Sequence, residues 1–410
     1  MSSLSADQKQ ALETQAVNNL REYLQIPSVH PNVNYDGCVE FLEKQAKGLG
    51  LPCQVHEVVK GKPIVIITWT GREPNLPSIM LNSHMDVVPV FEDKWTYKPF
   101  GAHMDDQGNI YARGVQDMKS VGIQYLEAIR CLKKKGITLR RTIHVTFVPD
   151  EEIGGKDGMA VFVKTNIFRN MNVCFALDEG MASETEEFAL FYGERSIWQI
   201  TFYCPGHTGH GSLLLENTPG EKVAYLLKKI YEFRKTQQDK LKDNPTMTLG
   251  DVTTANVTVM NGGVQHNVIP PEFSFVTDFR VALTVDLQKF EETLKRWCQE
   301  AGQGVHYKIN QRQMHIPATK LDANNPFWVA FKEVTDQLGL KLRPQVFPGG
   351  TDSRYLREVG IPALGFSPIN STPILLHDND EFLNRSTFLR GLHYYCDILR
   401  RLGELEERSG

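Results

Sequence analysis

Apolar positions along the chain keep two different periods, and the switches between them sketch the elements. Spacings of three and four residues predict helices over Gln8–Gln25 and Asp36–Leu49, and another over about Met118–Lys135. Apolar and β-branched runs at Ile64–Thr70, Ile79–Ser83, Thr142–Val148 and Val173–Leu177 predict strands. Strands alternating with helices indicate an α/β layer around a mixed, largely parallel sheet. Near Gly193 the order changes. It becomes strand Trp198–Tyr203, helix Pro219–Lys235, strands Thr253–Met260 and Phe273–Val281, helix Asp286–Ala301 and strand Val305–Asn310. Two helices on a small, mostly antiparallel sheet make an α+β unit. After about Arg312 the α/β pattern resumes, with a helix over Asn325–Leu338, an apolar run Ala363–Phe366 and helix over much of Asn379–Leu402. The expectation is an α+β domain, residues 193–312, inserted into a larger domain built from 1–192 and 313–410.

Composition narrows the function classes. A length of 410 residues with 41% hydrophobic content suits a globular protein of roughly two or three domains. The net charge of −4 gives no reason to expect nucleic acid or an acidic membrane as partner. Met1–Leu20 is polar and lacks the basic end and apolar core of a signal peptide, and no apolar run is long enough to span a bilayer. The seven cysteines are scattered, odd in number and free of any CxxC pair, so they read as buried free thiols and the expected location is cytoplasmic.

There is no P-loop, HExxH or GxSxG elbow, which removes the usual signatures of nucleotide hydrolysis, zincin chemistry and α/β-hydrolase chemistry. What remains is a series of polar residues placed just after apolar runs. His84 follows a predicted strand, with Asp86 two residues on, a carboxylate suited to hold the second nitrogen of a metal-bound imidazole. Asp117 lies at the start of a predicted helix, where a carboxylate either caps the helix or bridges two cations. Asp150-Glu151-Glu152 follows a β-branched strand and precedes Gly154-Gly155, which let the backbone turn sharply; three acids crowded together call for cations or water. Asp178-Glu179-Gly180 and His377-Asp378 close further apolar segments. Alone, each reads as a loop or a cap. Strand ends of open α/β sheets are where such folds build sites, so five together carry weight.

His84-x-Asp86, Gly114-x-x-Asp117-Met118-Lys119, Asp150-Glu151-Glu152-x-Gly154-Gly155, Asp178-Glu179-Gly180 and the late His377 resemble, in order, the motif series of the aminoacylase/carboxypeptidase clan of zinc peptidases. Longer stretches, Leu81–Phe91 with nearby Trp95, Ile143–Gly155 and Pro362–Pro368, are similar to its aminoacylase branch. The resemblance implies a zinc-peptidase-like catalytic domain with two Zn²⁺ per subunit. His84 and Glu179 would hold one ion, Glu152 and His377 the other, and Asp117 would bridge them. Chemistry alone leaves Asp178 open in place of Glu179. Asp86 would orient His84, and Glu151 would act as general base toward a water shared by the ions. Mixed imidazole and carboxylate donors suit Zn²⁺, with Co²⁺ or Mn²⁺ as substitutes.

The resemblance also makes the insertion a lid and dimerisation domain of a homodimer, closing on substrate. It implies that His210 binds the developing oxyanion from the neighbouring subunit, with His207 as competitor. Asn267, Arg280 and Arg354 become candidate contacts for a substrate carboxylate, which arginine matches bidentately, with Gly349-Gly350 allowing a tight turn. The activity implied is hydrolysis of N-acyl-L-amino acids. A dipeptidase or carboxypeptidase on the same ligands, and an inactive binding protein of the same fold, are the alternatives; the second is disfavoured because ligands and base are all present.

Overall fold

A computed structural model describes residues 4–406. They form two compact units, one of residues up to Tyr192 with Ala318–Pro344 and from Thr351 on, the other of Gly193–Pro317 with Gln345–Gly350. Against an expected insertion of residues 193–312, the second unit thus runs on to Pro317 and takes in a short later segment.

The first unit is built on an eight-stranded sheet in the order Cys53–Val59, Lys62–Trp69, Ile143–Val148, Ser78–His84, Val173–Asp178, Ala363–Phe366, Phe188–Glu194, Leu342–Phe347. The sheet is mixed. Its central strands, Ile143–Val148, Ser78–His84, Val173–Asp178 and Ala363–Phe366, pair in parallel, while antiparallel partners flank them. The strands Ser78–His84 and Ile143–Val148 are buried along their whole length, their polar residues Asn82, Ser83, His84 and Thr146 included, as expected of strands covered on both faces. Because His84 pairs with Val148 and Asp178 with Gly365, the carboxyl ends of these strands lie side by side.

Helix Lys119–Lys134 lies against the sheet and is buried from Lys119 to Leu132. Gly122 permits the approach: a Cβ there would fall 2.7 Å from Ser83 Oγ and 2.8 Å from the Phe147 ring. Helix Arg385–Gly403 packs on it, with Tyr125 and Tyr395 rings 4.8 Å apart. Helix Ala6–Leu24 begins with a capping box between Ser5 and Gln8 and buries Leu20, Tyr23 and Leu24. Lys119, fully buried, donates to the carbonyls of Tyr23 (3.2 Å) and Ile26 (2.8 Å), tying the two helices together.

The helix expected over much of Asn379–Leu402 runs from Arg385 to Gly403, and Asn384 caps it, accepting from the Ser386 amide at 2.9 Å. Residues before it are held by other bonds: Phe382–Asn384 joins Asn109–Tyr111 and His103–Met104 in a small sheet.

The second unit has the antiparallel order Thr254–Gly262, Glu272–Val281, Ser196–Pro205, His306–Arg312, with helices Pro219–Asp243 and Leu287–Ala301 and a core around Trp198, Phe202, Phe275 and Phe279. All seven cysteines are free, five of them buried. No helix among the described residues is long and apolar enough to cross a membrane.

Candidate metal centre

The parallel strands deliver the cluster. His84 is the last residue of one, Glu179 follows the end of the next, and Glu151 and Glu152 lie just beyond Val148. Asp150, with φ of 62°, and the positive-φ Gly154 and Gly155 fold the acidic segment into a tight turn. The turn is anchored by the Asp150 carboxylate, which accepts from Tyr35 Oη at 2.6 Å and pairs with Lys62 Nζ at 2.6 Å.

His84 Nδ1–H donates to the carbonyl of Asp86 at 2.8 Å, so Nε2 is the atom presented to the cluster. Asp86 thus orients His84 through its backbone. Its buried carboxylate does something else: it accepts from the amides of Glu151 (3.1 Å) and Glu152 (3.0 Å) and from His30 Nε2 (2.9 Å). One side chain therefore fixes the turn that carries both glutamates.

Asp117 sits two residues before its helix, and the peptide after it is cis. Its two oxygens face different imidazoles, Oδ1 at 3.0 Å from His84 Nε2 and Oδ2 at 3.2 Å from His377 Nε2. His377 Nε2 is also 2.9 Å from Glu152 Oε2, and His84 Nε2 is 3.5 Å from Glu179 Oε2 and 4.0 Å from Glu151 Oε2. Two groups of donor atoms lie within 4.8 Å of one another, His84–Asp117–Glu152 and His84–Glu151–Glu179. Asp178 turns elsewhere, accepting from Asn82 Nδ2 (3.1 Å) and Ser353 Oγ (2.7 Å).

These residues fit metal ions. Four carboxylates, of Asp117, Glu151, Glu152 and Glu179, share a buried space with only two imidazoles to balance them. Without cations the strain falls on protons. Burial, then the neighbouring Glu179, pushes Glu151 well above the usual carboxyl range, and burial, then Asp117, does the same to Glu179. Burial by itself would lower His84, but the charge of Glu179 and the Asp117 bond outweigh it and raise its pKa well above that of free imidazole. His377 is raised to about 10 by its bonds to Asp117 and Glu152. Glu152 Oε1 is buried without a hydrogen-bond partner, as a ligand atom lacking its ion would be.

Sequence reasoning missed the clamp beneath this centre. Glu381, fully buried, accepts from Arg113 Nη1 (2.8 Å) and from the amides of Gly114 (3.0 Å) and Gln116 (2.6 Å). Arg113 also donates to the Asp378 carbonyl, and the Gln116 side chain to those of Pro373 and Phe382. The segment carrying Asp117 is thereby fastened to the one carrying His377. The available signal was Glu381, the third acid after His377 behind Asp378 and Asp380, together with an unassigned Arg113 four residues before Asp117. Asp352, missed as well, is buried near Asp178, with Asn82 reaching both carboxylates.

Of the recognition candidates, His210 and Asn267 come together in the second unit, His210 Nε2 lying 3.4 Å from Asn267 Nδ2 and Nδ1 2.8 Å from Ser212 Oγ. His207 is turned to the Glu216 carbonyl at 2.9 Å. Arg280 is paired with Asp278 at 2.8 Å, and Arg354, in the first unit, stands 5.7 Å from the centroid of the Tyr355 ring.

Residues 80–401 match the sequence profile of peptidase family M20/M25/M40. The chain is 49% identical to mouse aminoacylase-1 over 398 residues, 97% of this chain and 98% of that protein. It is 42% identical to aminoacylase-1 of Dictyostelium discoideum over 406 residues, 96% and 99% of the two chains. Among solved structures, an M20 family metallo-carboxypeptidase from Sulfolobus solfataricus superposes with a TM-score of 0.72 at 18% identity, covering 95% of this chain and 99% of that one, a likeness of fold.

Proposed function

This chain belongs to peptidase family M20/M25/M40, and we propose on that premise that it hydrolyses N-acyl-L-amino acids to a carboxylate and a free L-amino acid. The observation that carries the reading is the Asp117 carboxylate set between His84 and His377, with Glu152, Glu179 and Glu151 around it. His84 and Glu179 are assigned to one metal ion, Glu152 and His377 to the other, and Asp117 to both. We take the ions to be two Zn²⁺ per subunit, which the mixed nitrogen and oxygen donors suit.

When bound, a metal pair supplies Lewis acidity to the amide carbonyl and lowers the pKa of the attacking water toward neutrality. The chain supplies the rest. Glu151 takes the proton of the water and passes it to the departing nitrogen, a role supported by its place beside the donor set, with Oε2 4.0 Å from His84 Nε2. Asp86 holds the amides of Glu151 and Glu152, so that one glutamate is kept for protons while its neighbour ligates. His210 is assigned to the developing oxyanion, a preorganised donor worth about 2.7–4 kcal/mol. Asn267, Arg280 and Arg354 are assigned to the substrate carboxylate.

The homodimer belongs to this proposal. Thr254–Gly262 is an edge strand of its sheet, and Val259, Met260 and Val264 on and after it are exposed. Sedimentation of the full chain as a monomer would remove the dimer. A cytoplasmic location is in keeping with seven free thiols.

Relatives named aminoacylase-1 at 42–49% identity favour acyl amino acids over peptides. A panel of N-acetyl-L-methionine, a long-chain N-acyl-L-glutamine and simple dipeptides tests this. Turnover of the acyl amino acids supports it; faster cleavage of the dipeptides moves the chain to the dipeptidase reading.

A further inference from the structure

Outside the metal centre, one segment holds it from behind. Residues 28–35 run beside the chain that leaves His84: Val29 bridges Val87 in parallel, the Val87 amide donates to the Ser28 carbonyl at 2.9 Å, and the His30 amide donates to the Val87 carbonyl at 3.1 Å. Ser28 Oγ donates to the Met85 carbonyl at 2.6 Å. So docked, the segment aims two side chains at the acidic turn. The His30 ring, 9% exposed, has Nε2 2.9 Å from Asp86 Oδ2, the same oxygen that accepts the Glu152 amide at 3.0 Å. Tyr35 Oη donates to Asp150 Oδ1 at 2.6 Å and accepts from the Asp150 amide at 3.0 Å. The turn is thus gripped directly at Asp150 and, through Asp86, at Glu151 and Glu152. Asp86 is fully buried, and an ionised carboxylate can only accept. Without the His30 donor it keeps two backbone amides but loses the side chain that fixes its orientation, and a buried charge short of a donor is costly.

We propose that His30 is a positioning residue of the hydrolase. Its Nε2–H pins the Asp86 carboxylate, Asp86 sets the backbone of Glu151 and Glu152, and Glu151 is thereby aimed for its proton transfer. The ring bonds Asp86, which is not among the assigned metal ligands, so His30 acts through another residue. Its effect on turnover rests on the amide-hydrolase reading; its effect on the turn does not. The donor atom decides which substitutes serve. A glutamine side-chain N–H reaches the place of Nε2 and an asparagine's only the place of Nδ1, so glutamine can replace His30 and asparagine cannot.

Metal-loaded full chains of wild type, His30→Gln, His30→Asn and His30→Ala are compared in two ways, by amide hydrogen exchange of the acidic turn and by hydrolysis of N-acetyl-L-methionine. Exchange at Glu151 and Glu152 should quicken by about 10-fold in His30→Asn and His30→Ala and stay near wild type in His30→Gln. In the same two variants kcat should fall by about 10–100-fold, with KM within about twofold of wild type because His30 acts on the base and not on substrate binding. His30→Gln should recover most of kcat. A role in stability alone would move the denaturation midpoint and leave both readouts unmoved. A His30→Asn chain that matches His30→Gln in exchange or in kcat overturns the proposal, and that comparison stands even if His30→Ala does not fold. Should wild type itself fail to hydrolyse the substrate, the amide-hydrolase reading falls, and the order of exchange alone decides whether His30 sets the turn.

Discussion

Glu381 is the residue whose loss should reveal how the metal centre is held. Its carboxylate is fully buried and answers a guanidinium that is 3% exposed together with two backbone amides. Truncation in Glu381→Ala leaves Arg113 without its counter-charge, and removing one member of a buried pair costs about 3–5 kcal/mol. Each abandoned amide adds ~1–3 kcal/mol unless water fills the space the side chain vacates. Glu381→Gln keeps an oxygen acceptor and the shape but gives up the charge, so it should fall between wild type and alanine. The segments released carry Asp117 and His377, so the cost should register as metal affinity, with a loss of about 10–100-fold for the alanine variant. Chelator competition, with bound metal counted by elemental analysis, reads this directly, and far-UV circular dichroism checks that the fold persists. A folded Glu381→Ala chain that retains both ions against chelator as wild type does would refute the clamp.

Other outcomes follow from the same geometry. Glu151→Ala should keep its metal and lose about 10²–10⁴-fold in kcat against N-acetyl-L-methionine, and near-normal turnover would dismiss Glu151 as the proton carrier. Metal uptake by the stripped chain should release protons. His377, raised to about 10, and His84, raised well above free imidazole, must become neutral to ligate, and Glu151 and Glu179 must ionise. Affinity should therefore weaken as pH falls, and calorimetry in buffers of different ionisation enthalpy would show net release; proton-neutral binding at pH 7 would contradict the directions given. Gly122→Ala should destabilise the first unit by about 1–3 kcal/mol, because the added methyl meets Ser83 and Phe147; an unchanged denaturation midpoint would mean that the helix is free to move.

Much of the molecule is legible in the sequence where burial writes a period. The buried strands Ser78–His84 and Ile143–Val148 and helix Lys119–Lys134 were expected within a residue or so, because their apolar runs have no other explanation. Edge strand Cys53–Val59, half exposed and polar, gave no such signal, and neither did the three-residue Asn109–Tyr111. Asn379–Asn384 stays outside the helix because its hydrogen bonds go to partners about 265–285 residues away, Thr96, Gln107 and Arg113 among them. The cluster residues were legible as types at strand ends, but their convergence was not. The part played by Asp86 shows the limit: a carboxylate two residues after a histidine suggests a side-chain bond to it, whereas the backbone carbonyl makes that bond and the carboxylate holds Glu151 and Glu152.

The proposed amide hydrolysis depends on residues gathered around two cations. Titrating Zn²⁺ into the chelator-stripped chain while following hydrolysis of N-acetyl-L-methionine tests that most directly. Activity should be absent at the start and level off at two equivalents of metal per chain. Full turnover by the stripped protein, or a plateau reached at a single equivalent, would contradict it.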